Sequence, residues 1–153
     1  MMKLFVWAVI IVVAASIVAG FFIVGSPYTE RMRRFDDERV ADLQNIQWQI
    51  VNFWQQKERF PKDLNELRDD VSGWIAPLDP ETSEPYKYMP GEGFSFSLCA
   101  KFLLPSEAGA LYPAPDFYIE SGNWTHEAGE RCFERIIDPE RYPPFAKPAK
   151  SAR

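Results

Sequence analysis

From Leu4 to Gly25 the chain reads LFVWAVIIVVAASIVAGFFIVG, without one charged residue. Coiled as a helix rising about 1.5 Å per residue, this run reaches across a hydrocarbon core of about 30 Å. A helix of that length in a water-soluble protein keeps a polar stripe toward solvent, and none is present. The run predicts a transmembrane helix over 4–25, preceded by a short N-terminus of residues 1–3. The alternative is a cleaved signal peptide, with Lys3 as its basic start and Val18-Ala19-Gly20 as a small-residue cleavage site. The apolar run is longer than the stretch of about 7–15 residues that such peptides carry. The first cysteine is Cys99, which excludes a lipid-modified cysteine just after the run.

Beyond Gly25 the chain is polar and acidic. Of 17 Lys and Arg, only Lys3 precedes the apolar run, so 16 basic residues face 22 acidic ones beyond it, a net charge of −6. Nucleic-acid binders present basic faces, so an acidic balance with scattered lysines and arginines argues against a nucleic-acid partner. The basic clusters RMRR and KPAKSAR read as a membrane flank and a solvated tail. One α+β domain is expected over 26–145, long enough to bury a core, with a disordered tail over 146–153.

Two signals conflict over which side of the membrane this domain faces. Arg31, Arg33 and Arg34 follow the run, and the positive-inside rule would hold them in the cytoplasm. The cysteine pair, the abundant Trp and Pro, and the short N-terminus favour export. The balance places the domain outside the cytoplasmic membrane; a cytoplasm-facing tethered adaptor is the alternative. Cys99 and Cys132 are the only cysteines. An even pair in an exported domain reads as a disulfide, worth roughly 3–4 kcal/mol on the chain-entropy model. Two buried apolar thiols are the other reading.

Ser26 is a fair N-cap and Pro27 a fair first helical residue. From there to Phe60 the chain reads as one long amphipathic helix. Leu43, Ile46, Ile50, Phe53 and Trp54 form its apolar face at spacings of three and four, with Val40 ahead of them. Arg39, Asp42, Gln49 and Gln56 are placed on the wet side. Trp48 falls off the stripe, and with Trp54 it marks a candidate interaction face. Phe60-Pro61 ends the helix. PKDLNELRDD reads as a short second helix that sends Leu64 and Leu67 inward. Tyr86 and Tyr88 alternate with Lys87 as a short strand, PGEG is a turn, and FSFSLCAKF alternates throughout. Phe94, Phe96, Leu98, Ala100 and Phe102 share its apolar face. DFYIES and RCFERII are further strands. A long helix packed on a small antiparallel sheet is an α+β architecture.

The order of a span, an amphipathic helix ending in Phe60-Pro61, Leu64 with Leu67, Asp79-Pro80 and Pro85-Tyr86-Lys87-Tyr88 resembles the pseudopilins of type II secretion and related pilin-like proteins. The resemblance covers roughly residues 35–102. It implies a pilin-like fold and a non-enzymatic structural or assembly role, with self-association or protein partners in the lipid bilayer. It makes Asp79, Pro80, Pro85, Tyr86 and Tyr88 a turn signature. The chain lacks the Gly-aromatic junction before the span and the glutamate early in the mature helix that pilins and pseudopilins carry, so processing and filament growth are not implied. The second half, NWTHEAGERCFERIIDPERYPP, departs from the pattern. The whole chain is similar to single-span membrane-anchored proteins of small-genome bacteria, a likeness that carries no activity.

Chemistry-bearing groups are few. His126 is the only histidine. With Cys99, Cys132 and Glu127 or Glu130 it could offer zinc ligands, but the close pairs of structural zinc sites are missing. A loop histidine without a partner is the plainer reading. Asp79, Glu81, Thr82 and Glu84 offer oxygens to Ca²⁺ without EF-hand spacing. No phosphate loop, nucleophile elbow or metalloprotease motif is present. The reading is of no enzyme, no cofactor and no resident metal. Trp48, Trp54, Trp74 and Trp124 could instead build a platform for an envelope glycan or protein, which keeps a tethered binding module as the second function.

Overall fold

The alternation in FSFSLCAKF builds the centre of the sheet. The computed structural model describes residues 2–24, 26–107 and 124–146. In chain order it contains α1 (Met2–Val24), α2 (Pro27–Lys57), a 3-10 turn (Leu64–Leu67), β1 (Lys87–Pro90), β2 (Ser95–Phe102) and β3 (Gly129–Ile136). The strands lie in the order β1-β2-β3, all antiparallel. The expected strand DFYIES and residues 147–153 of the expected tail lie outside the described residues. The chain divides into two units, Met1–Arg34 and Phe35–Arg153.

In the first unit, α1 covers the charge-free run. Its contiguous described side chains extend from Phe5 to Gly20. Among the described residues, no helix is long and apolar enough to cross a membrane.

α2 starts at Pro27, where the missing N–H costs nothing, and the Ser26 carbonyl accepts the Glu30 N–H at 3.2 Å. The helix stops at Lys57, short of the expected Phe60. Glu58 adopts φ 57°, and its N–H closes on the Trp54 carbonyl at 2.7 Å. This left-handed residue, not the proline, ends the helix. PKDLNELRDD forms only one 3-10 turn, capped by the Asp63 carboxylate on the N–H groups of Asn65 and Glu66. Leu64 and Leu67 are buried as expected.

In the second unit, α2 supplies Val40, Leu43, Ile46, Ile50 and Trp54 to a core completed by Phe96, Leu98, Phe102, Trp124, Phe133 and Ile137. Phe53 is only half-buried. The hairpin turns at PGEG, where Gly93 takes φ 64° and a side chain at Gly91 would strike Ser95 Oγ at 2.4 Å. On β2 the predicted apolar face holds, and Phe94 lies just before the strand. That ring is 46% exposed and meets the Trp54 ring edge-on, with centroids 5.9 Å apart.

Two placements depart from the sequence reading. Cys99 lies on the outer face yet is buried, because it bonds to Cys132 directly opposite on β3, with Cα atoms 4.0 Å apart. The pair is a disulfide, not two thiols. Arg39, expected to be wet, is 1% exposed.

Candidate functional site

Arg39 sits four residues before Leu43, on the same stripe that builds the core, so α2 points it inward. A buried guanidinium persists only where carboxylates and good geometry offset its lost hydration. Three carboxylates meet it. Arg39 Nη1 donates to Asp36 Oδ1 at 2.8 Å. Nε and Nη2 donate to the two Asp79 oxygens at 2.6 and 3.1 Å, and Nη2 also reaches Glu81 Oε2 at 2.8 Å. Burial alone would lower the Arg39 pKa; the hydrogen bonds to Asp79, Glu81 and Asp36 outweigh it and raise the pKa above its ordinary value.

The cluster joins three segments. Asp79 Oδ1 accepts the N–H groups of Glu81 and Thr82, both at 3.0 Å, and so shapes the turn as well as holding Arg39. Burial pushes the Asp79 carboxyl up, but the Arg39 hydrogen bonds and those two N–H groups bring it down to about 2. The turn closes through Asp79 N–H to the Glu84 carbonyl at 2.9 Å and Ser83 N–H to the Asp79 carbonyl at 2.8 Å. Asp36 accepts the N–H groups of Leu103 and Leu104, the first residues past β2. One arginine thus ties α2 to the DPETSEP turn, and Asp36 ties it to the end of the central strand.

The signature residues separate in role. The Tyr86 hydroxyl donates to Asp42 Oδ2 at 2.7 Å. Burial, then that bond, pushes the phenol well above its ordinary pKa. Burial likewise raises the Asp42 carboxyl. The Tyr88 hydroxyl donates to the Pro61 carbonyl at 3.1 Å. Both tyrosines therefore strap the hairpin inward, to α2 and to the Phe60-Pro61 corner. Pro80 sits half-buried in the turn, and Pro85 bridges back to Leu78. Between the turn and the end of β2 lies a cavity of about 570 Å³.

The oxygens of Asp79, Glu81, Thr82 and Glu84 do not form a calcium loop, because a guanidinium occupies Asp79 and Glu81. Among the described residues, no group of three or more His, Cys, Asp or Glu is arranged to hold a metal ion.

His126 has partners, contrary to the plainer sequence reading. Its ring stacks on Phe102 with centroids 3.5 Å apart. Its Nδ1 lies 2.9 Å from the Trp124 carbonyl and 3.0 Å from Ser106 Oγ. A carbonyl can only accept, which assigns the proton to Nδ1. Ser106 Oγ also accepts the His126 N–H at 2.9 Å. In this arrangement Nδ1 is a donor and gives Ser106 no base. Cys132, bridged, supplies no thiolate. A cavity of about 480 Å³ borders the pair.

The tryptophans do not assemble into a platform. Trp54 and Trp124 belong to the core, and Trp74 is half-buried with its indole N–H on Asn45 at 3.2 Å. Of the expected pair Trp48 and Trp54, only Trp48 faces outward, at 37% exposure. Arg135 is a second buried cation that the sequence reading missed. It lies 4.2 Å above the Trp124 ring and donates to Gln47 Oε1 at 2.9 Å. Burial lowers its pKa to about 10. A signal for Arg39 was present: Asp36, Arg39 and Val40 extend the Leu43–Ile46–Ile50 stripe toward the N-terminus.

The geometry defines an α+β domain in which a buried cluster of Arg39, Asp36 and Asp79 ties α2 to the DPETSEP turn and to the end of β2. No family model, curated protein or solved structure matches this chain.

Proposed function

We propose that this is a non-enzymatic, membrane-anchored protein of the cell envelope with a pseudopilin-like structural or assembly role. One observation carries the anchor. The described apolar side chains of α1 are exposed all round the helix, from Phe5 at 70% and Trp7 at 65% through consecutive Val9 to Val13. Lys3 is its only charge. Covering this surface with lipid removes apolar area from water, at about 25 cal/mol per Å². The Cys99–Cys132 bridge supports an oxidising compartment for the domain. The non-enzymatic reading draws on the structural use of Arg39, Asp79 and Cys132 and on the donor role of His126 Nδ1. The pseudopilin likeness rests on the residues that carry it, now with contacts of their own at Asp79, Tyr86 and Tyr88.

Alkaline carbonate extraction and protease treatment of intact spheroplasts test the proposal together. The expected result is a protein retained in the membrane pellet and cut from outside, with a gel mobility that shifts on reduction. Release by carbonate would remove the anchor. Retention with full protection and free thiols would instead favour the cytoplasm-facing adaptor. The binding-module reading stays beside the structural one because of the cavity next to the DPETSEP turn.

A further inference from the structure

β2 pairs with β3 along its whole length, from Ser95↔Ile136 to Phe102↔Gly129. With β1 it pairs only over Phe96 to Cys99. The ladder stops for a chemical reason. Continuing the Lys87↔Cys99 register would set Pro85 opposite Lys101, and proline has no N–H to give. Pro85 turns aside to bridge Leu78, and Arg39 holds the turn beyond it against α2. The cavity of about 570 Å³ fills the space left between the turn and β2, with Glu84, Pro85, Lys101 and Leu103 in its walls.

Strand parity says which backbone groups look into that space. Cys99 and Cys132 stand opposite with Cα atoms 4.0 Å apart, the close spacing of a non-hydrogen-bonded antiparallel pair. The N–H and C=O of Cys99 therefore point away from β3, toward β1. Two residues on, those of Lys101 point the same way. Leu103, two further on, has its N–H on the Asp36 carboxylate. Lys101 alone in this alternating set has no partner on the β1 side among the described residues. Among the described residues the cavity is thus edged by an open piece of sheet, the feature that strand addition uses.

From this geometry we infer that the groove between the DPETSEP turn and Lys101 takes an extended peptide segment as a short added strand. The main chain of the peptide exchanges hydrogen bonds with the Lys101 N–H and C=O. A basic side chain of the peptide meets Glu84, which is exposed on the turn wall. The other rim carboxylates are already engaged: Asp79 and Glu81 by Arg39, and Glu130 by Lys87. Glu84 is the carboxylate left to select the peptide. The inference deepens the binding-module reading and does not depend on α1 lying in a membrane.

The test uses the full chain in detergent micelles with its disulfide intact. The probes are two blocked, dye-labelled pentapeptides, Thr-Val-Lys-Val-Thr and Thr-Val-Glu-Val-Thr, titrated by fluorescence anisotropy. The Lys peptide is expected to bind at least fivefold more tightly than the Glu peptide. Glu84→Lys, an exposed change on the turn, is expected to invert that preference. Lys101→Pro removes the N–H and is expected to weaken binding at least tenfold; far-ultraviolet circular dichroism and the retained disulfide verify its fold. If Lys101→Pro does not fold, the Glu84→Lys inversion decides. Absence of saturable binding up to about 1 mM, or equal binding of both peptides to wild type and Glu84→Lys, overturns the inference. Neither result bears on the carbonate extraction, so failure of the groove and failure of the anchor are read separately.

Discussion

Replacing Arg39 by Met tests whether the buried cluster holds the second unit together. Methionine fills similar volume but removes every donor. Asp36 and Asp79 would be left buried with a negative charge and no cation. Removing one partner of a buried ion pair costs about 3–5 kcal/mol. Here the lower end applies, because both carboxylates keep backbone donors: Leu103 and Leu104 for Asp36, Glu81 and Thr82 for Asp79. The expected loss is about 3 kcal/mol at pH 7, or roughly 10–15 °C in Tm for a domain of this size. Tryptophan fluorescence during urea unfolding of the full chain in detergent reads it directly. The pH dependence gives a second handle. Asp79 has its folded pKa depressed to about 2 from an ordinary value of 3.8. A depressed carboxylate contributes stability that is present above the unfolded pKa and is lost as pH falls through the folded one. The contribution is about 2–3 kcal/mol, disappearing between about pH 4 and pH 2. Much of that acid sensitivity should vanish with Arg39→Met, and Asp79→Asn should restore part of the stability in the double variant. A cost below about 1 kcal/mol, with unchanged acid sensitivity, would refute the reasoning.

Replacing Cys99 and Cys132 together by Ala should cost about 3–4 kcal/mol, since the bridge closes a separation of 33 residues; chemical denaturation with and without reductant reads it. Tyr86→Phe leaves the half-buried Asp42 without its 2.7 Å donor and should cost about 1–2 kcal/mol in the same assay. Arg135→Met should cost less than Arg39→Met, about 1 kcal/mol or less. Its partners include Gln47, a backbone carbonyl and aromatic faces, and the change also removes the desolvation that lowers its pKa. A larger loss for Arg135→Met than for Arg39→Met would show that the aromatic contact outweighs the carboxylate cluster.

Periodicity carries most of what the sequence makes legible. Leu43, Ile46 and Ile50 lie on one helical face, and Phe96, Leu98, Ala100 and Phe102 on one strand face, and burial follows that pattern. The hairpin at PGEG is legible because glycine chemistry is local. The early stop of α2 is not, because Glu58 adopts its left-handed φ without a glycine to announce it. The charges mislead for a different reason. Residue type assigns Arg39 to water, although its position four residues before Leu43 puts it on the buried stripe. What makes its burial tolerable is an aspartate 40 positions away, a contact that no local window contains. His126 is illegible in the same way, since Ser106 and Phe102 reach it only through the fold.

The cluster and the groove are linked by a single mechanical fact. Pro85 cannot extend the β1–β2 ladder and bridges back to Leu78. Arg39 holds Asp79 and Glu81 of the same turn against α2. Asp36, bonded to the same arginine, fixes Leu103 at the far end of the opening. The carboxylates of the turn that resembled a cation loop serve instead to hold it against α2 through Arg39. Arg39 lines the cavity as well as holding the turn beside it. Stability and peptide affinity are therefore expected to fall together in Arg39→Met, whereas Glu84→Lys changes peptide choice without touching the cluster.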